Sequence, residues 1–125
     1  MGLTQAQNAV SIIRGSTKTF ELTVVDVAKA AVNITGARVL FSVKRFVTDE
    51  HALIQKDSAK GVAEIELTEP KAGKAQIKID PSDTQTMDVG EYIFDVWVVL
   101  TNGNRHPVVP PSTFEVKAGV TVIAT

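Results

Sequence analysis

The 125-residue chain contains no cysteine, one tryptophan, one tyrosine and only two histidines. Without cysteine there can be neither a disulfide nor a thiolate metal site, so the fold must rest on packing and hydrogen bonds. His51 and His106 are too far apart for a zinc-site spacing, and neither belongs to a nucleophile motif such as G-x-S-x-G. Both read as solvated surface side chains. Charge of one sign is also missing: 13 basic residues stand against 14 acidic ones, a net of -1. Such a balance sets up no long-range field to gather nucleic acid or an anionic membrane. No apolar run approaches the ~18 residues of a bilayer span. The first 18 residues lack the basic and apolar regions of a signal peptide. Folding in a cytoplasm, without a nucleic-acid or membrane partner, is the expectation.

What is present is alternation with a period of two. Phe20, Leu22 and Val24 share one face of Thr17–Val24, and Val39, Phe41 and Val43 one face of Ala37–Arg45. Ala63, Ile65 and Leu67 alternate with Glu64 and Glu66, and Ala75, Ile77 and Ile79 with Gln76 and Lys78. Tyr92, Phe94, Val96 and Val98 alternate with Ile93, Asp95, Trp97 and Val99, and Phe114 and Val116 flank Glu115. Strand side chains point to opposite faces in turn, so each segment offers one apolar face to a core. Shorter strands are expected at Val10–Ile13, Leu53–Gln55 and Val120–Ile123. Thr35-Gly36, Glu69–Gly73 and Thr101–Asn104 are turn signals, the last a hairpin. Residues 46–61 read as a long polar loop holding one short strand. Pro107, Pro110 and Pro111 confine any strand around them to an edge or break it. Helix is limited to a short turn near 81–87, with Asp80 as N-cap and Pro81 at the first helical position.

Seven to nine short strands without helical crossovers predict an all-β fold, an antiparallel immunoglobulin-like β-sandwich. One domain spans 1–125, with 1–9 as a flexible or docking N-terminal segment. Asp88-Val89-Gly90-Glu91-Tyr92-Ile93-Phe94 has the D-x-G-x-Y form of a tyrosine corner, in which the Tyr92 hydroxyl would bond back to upstream backbone. The alternative is that Tyr92 is a plain core aromatic. Phe94 takes the inward position that a cysteine holds in antibody domains.

The search for chemistry returns no catalytic, cofactor-binding or metal-ligating set. Glu64, Glu66 and Glu91 fall on outward strand positions, and Asp95 reads as an outward charge that discourages sheet stacking. Asp80 and Asp83 are explained by helix capping, since no calcium-loop pattern follows. Gly73, Gly90 and Gly103 are isolated turn glycines, not a phosphate cradle. The remaining anomaly is apolar. Once the inward residues of Glu91–Leu100 are assigned, Ile93, Trp97 and Val99 are left on the outer face, which in a solvated sheet should be polar. Leu40 extends that patch if its strand pairs with theirs. An apolar outer patch with an aromatic centre marks a protein contact. The competing reading has a loop or a chain end covering it, and the apolar ends Ala9–Ile13 and Val120–Ala124 suit either covering this face or adding a strand to a neighbour.

Ile13–Val24, in the form I-R-G-S-T-x-x-F-x-L-T-V, resembles the opening of small phage tail and baseplate domains. The similarity continues in order through Val32–Ala37, Val39-x-Phe41-x-Val43-Lys44, Gly73-Lys74-Ala75, Ile79–Thr84 and Gly90–Val96. It covers about residues 10–117 and includes the N-terminal domain of the upper baseplate protein of lactococcal-type phages. Ser16 departs from it, standing where the pattern often has aspartate. The resemblance implies a virion structural protein that assembles with other virion proteins or with itself, and it carries over no active-site residues. The alternative function is a carbohydrate-binding module for host-surface recognition, with Trp97 as the stacking platform.

Overall fold

The computed structural model describes residues 9–121. Among these residues eight strands form two sheets. β1 (Val10–Ile13), β8 (Arg105–Lys117), β7 (Gly90–Val99), β3 (Arg38–Lys44) and β4 (Ile54–Asp57) lie side by side in that order. The second sheet is β2 (Lys18–Thr23), β6 (Lys74–Ile79) and β5 (Ile65–Glu69). Among the described residues all strand pairings are antiparallel except β1 with β8, and no strand pairs across the two sheets. This is an immunoglobulin-like sandwich. The short helix α1 (Pro81–Thr84) carries the chain from β6 in one sheet to β7 in the other.

The core follows from the alternation. Leu22 and Val24, Ile77 and Ile79, Val39, Phe41 and Val43, and Tyr92, Phe94, Val96 and Val98 are all buried between the sheets. Phe20, Phe41, Phe94 and Phe114 form one aromatic cluster, with ring centroids 5.7–6.5 Å apart in tilted or edge-on arrangements. Such geometry suits the ring quadrupole and adds to the area term.

The proline-rich stretch is a strand, but an edged and broken one. β1 pairs only with Phe114–Lys117, so among the described residues Arg105–Thr113 has a neighbour on one side alone. Pro110 and Pro111 sit in a bulge between the pairs Val96↔Val109 and Phe94↔Ser112, where no ladder donor is required. The β7–β8 hairpin turns at Thr101–Asn104, with Gly103 at φ +88° and Leu100 N–H donating to Asn104 O at 2.9 Å.

Several expectations need correction. Ala63 lies outside the strand and is exposed, because β5 begins only at Ile65. Glu64 is half-buried instead of solvated, and its Oε1 accepts from the Asp57 N–H at 3.1 Å. The helical turn ends at Thr84, after which the chain bends toward β7. Val10–Ile13 forms β1 at the edge of this chain's own sheet, so it does not cover the outer face. Val120 and Thr121 form no strand, and the rest of the expected Val120–Ile123 strand lies outside the described residues, as do residues 1–8 of the N-terminal segment.

Candidate functional site

β7 runs through the five-stranded sheet between β3 and β8, so its outward side chains define the middle of the outer face. The register sets the neighbours. Trp97 lies between Leu40 on β3 and Pro107 on β8, Val99 between Arg38 and Arg105, and Ile93 between Lys44 and Thr113. The four residues expected to form the patch are therefore brought together. Trp97 is 38% exposed, whereas Ile93, Val99 and Leu40 are half-buried by their cross-strand neighbours. None of the described loops covers the indole.

Trp97 forms a ridge between two shallow grooves. One, about 240 Å³, is lined by Ser42, Lys44, Val47, Ile93, Asp95 and Pro111 beside the indole. The other, about 420 Å³, is lined by Arg38, Leu40, Val99 and Arg105. Asp95 has a role that the sequence does not reveal. It stands two residues from Trp97 on the same face, and its Oδ2 accepts from the indole Nε1–H at 3.0 Å. That bond satisfies the polar edge of the ring and fixes its orientation, leaving an apolar surface turned outward.

The loop after β3 extends the patch through Val47 and carries two further exposed apolar side chains. Phe46, Val47 and Leu53 are 62%, 60% and 55% exposed. Val47 shares a groove with Ile93 and Trp97, so the apolar strip continues from the sheet onto the loop. The loop is held in shape by Asp49, whose carboxylate accepts from Phe46 N–H at 2.9 Å, and by Leu53 N–H bonding to Val43 O at 2.7 Å. These three residues are missed in the sequence because they lie among polar neighbours without period-two spacing.

Two ion pairs brace this sheet. Arg38 grips Asp57 in a forked contact, with Nε 3.0 Å from Oδ1. Asp57 also accepts from Ala59 N–H at 2.9 Å, capping a 3-10 turn at Ser58–Lys60. The Arg38 guanidinium, ahead of the opposing cost of burial, holds the Asp57 carboxyl below the usual carboxylate range. Lys56 points the opposite way, into the sandwich margin, where its buried ammonium lies 2.8 Å from Asp83 Oδ2 and 3.9 Å from Asp80 on α1. Asp83 simultaneously accepts from Asp80 N–H at 2.7 Å, so one carboxylate closes the helix start and anchors β4 to it.

At the other end of β7, the Tyr92 hydroxyl donates to the Asp88 carbonyl oxygen at 2.7 Å. Arg45 stacks its guanidinium 4.7 Å from the Tyr92 ring centroid. Gly90, at φ +150°, leaves room for it, since a Cβ there would lie 3.3 Å from Arg45 Nη1. Asp88, Gly90 and Tyr92 are thus drawn into one corner beneath the sheet. His51 is exposed on the β3–β4 loop and His106 is half-buried on β8. Among the described residues no three His, Asp or Glu side chains converge as a metal site, and no helix is long and apolar enough to cross a membrane.

No family model matches the chain, and no curated protein sequence matches it. Among solved structures the fold is similar to murine CRIg, at 16% identity and a TM-score of 0.44 over 94% of this chain and 96% of that one. It is also similar to CopC from Methylosinus trichosporium OB3b, at 11% identity and a TM-score of 0.50 over 98% of each chain. At 11% identity the likeness to CopC is one of fold, and the two-sheet strand order makes the chain an immunoglobulin-like β-sandwich.

Proposed function

We propose that this chain is a non-enzymatic structural protein of a phage or prophage particle, a tail, baseplate or decoration component. It acts by docking the outer face of the five-stranded sheet onto other virion proteins or onto another copy of itself. Support for the virion context comes from the sequence resemblance, whose segments correspond to β2, β3, the β6–α1 corner and β7. The observation that carries the docking role is the exposed Trp97 ridge, continuous with Ile93, Val47, Leu40 and Val99. A sheet face with no partner favours polar side chains, and an apolar strip with an oriented indole at its centre has the composition of an interface core.

The test is peptide mass spectrometry of purified particles from a host carrying the gene, with wild-type and Trp97→Ala chains expressed side by side. The expected result is incorporation of the wild-type chain at a fixed copy number and a drop of tenfold or more for Trp97→Ala, with unchanged circular dichroism. Absence of the chain from particles, or equal incorporation of both forms, would refute the proposal. A carbohydrate role has less support: Trp97 is the one aromatic on the strands of this face, and sugar stacking draws on several such rings. A glycan array is expected to stay blank, and binding lost in Trp97→Ala would reverse that ranking.

A further inference from the structure

The charges on the outer face are segregated. At one end Arg38 and Arg105 flank Val99 from the two neighbouring strands. At the other end Glu91 and Glu115 stand directly opposite each other on β7 and β8. Like charges directly opposite in a sheet destabilise it, so the Glu91–Glu115 end carries a local cost that an external cation would relieve. Asp57 already neutralises Arg38, and Lys117 lies 3.7 Å from Glu115. Among the described residues Arg105, Glu91, Lys44 and Asp95 form no ion pair, which leaves two unpaired charges of each sign on the one face.

The register makes this arrangement symmetric about Asp95. Trp97 and Ile93 lie two residues to either side of it on β7, and Val99 and Glu91 four residues to either side. Arg105 and Glu115 occupy the Val99 and Glu91 levels on β8. Turned end for end, the Arg105 end of one face therefore meets the Glu91 and Glu115 end of the other. Resting on the docking role proposed above, we infer that the occupant of this face is a second copy of the chain, stacked face to face about a two-fold axis that crosses the strands at the level of Asp95. Trp97 then lies over the partner's Ile93, and the Arg105 end over the partner's Glu115 and Glu91. The two Asp95 carboxylates face each other across the axis, each holding the indole N–H of its own Trp97, and Lys44 of each copy stands over the partner's Leu40. The two charged ends are roughly 27 Å apart at strand rise. A face of that length and four strands' width covers on the order of 1,000 Å² summed over both copies, enough for a specific contact. The charged ends are complementary between the copies, as an isologous interface requires.

A charge-swap experiment tests this. Wild type is expected to show twice the chain mass by light scattering at high concentration, and to dissociate as salt is raised. Arg105→Glu makes both ends acidic and Glu115→Arg makes both basic, so each variant alone should bind itself at least tenfold more weakly. Mixed in equal amounts, the two should recover the double mass, because each supplies what the other's end lacks. Circular dichroism of each variant checks that the fold is retained. A monomeric wild type at every concentration overturns the inference, and particle incorporation of that monomer would leave the docking role standing. Dimers that survive both charge variants but vanish in Trp97→Ala also overturn it, since the face would then associate in another register.

Discussion

At the scale of single residues, much of the fold depends on a few positions with no tolerance. Gly73 closes the turn before β6 at φ +73°, and a Cβ there would fall 2.5 Å from Val24 O and 2.8 Å from Val32 O. Both atoms are backbone, so neither can swing aside, and a left-handed φ adds strain for any other residue. Gly73→Ala should therefore cost roughly 2 kcal/mol or more, read as a lower urea midpoint. Tyr92→Phe keeps the ring in the core but removes the bond to Asp88 O, and should cost about 1 kcal/mol in the same assay. The Asp88–Tyr92 spacing made the corner readable in the sequence, because it depends on neighbours along the chain. Gly73 could be read only as a turn glycine. The crowding that makes it irreplaceable comes from Val24 and Val32, which reach it through the fold.

At the scale of elements, β4 and α1 show how ion pairs substitute for apolar packing at a sheet margin. β4 has the burial of a core strand over the residues Ile-Gln-Lys-Asp, since Lys56 and Asp57 are both buried and both paired. Lys56→Ala leaves Asp83 without its cation and opens a gap between β4 and α1. A loss of roughly 2–3 kcal/mol is expected, below the cost of breaking a fully buried pair because Asp83 keeps some exposure. Asp57 adds a pH dependence whose sign is fixed. Its carboxyl titrates lower in the folded chain than in the unfolded one. Its contribution is therefore complete above the unfolded value, near 4, and is lost as pH falls through the lower folded value. Asp57→Asn should be clearly less stable than wild type at pH 7, with the gap closing in acid below about pH 4, as followed by urea midpoints across pH. The strongly alternating strands, β2, β3, β6 and β7, were legible because burial on one face imposes the period. β4 was not, since its inward positions carry a lysine and its pattern is set by partners on α1 and β3.

At the scale of the whole molecule, the sandwich has used one face of each sheet for its core and left an apolar strip on the other face of the larger one. Pairing β3 with β7 was the step that assembled Leu40 with Trp97, and alternation alone placed Ile93 and Val99 beside it. The extension through Val47 was not legible, because it depends on how a loop without periodicity sets that side chain beside Ile93 and Trp97. The orienting bond from Trp97 to Asp95 was hidden for a different reason: an acidic residue two positions away looks the same in sequence whether it faces solvent or an indole. Asp95→Ala should leave the fold intact yet loosen the ring. Association is then expected to weaken several-fold, less than with Trp97→Ala, as measured by dilution series.

The most direct measurement is the solution mass of wild type and Trp97→Ala by light scattering on a sizing column, across a hundredfold concentration range. If the outer face is an assembly surface for copies of this chain, wild type will show a discrete multiple of 13.4 kDa that gives way to the single chain on dilution. Trp97→Ala will remain a single chain throughout, with the circular dichroism of the wild type. Equal masses for the two proteins at every concentration would contradict the claim.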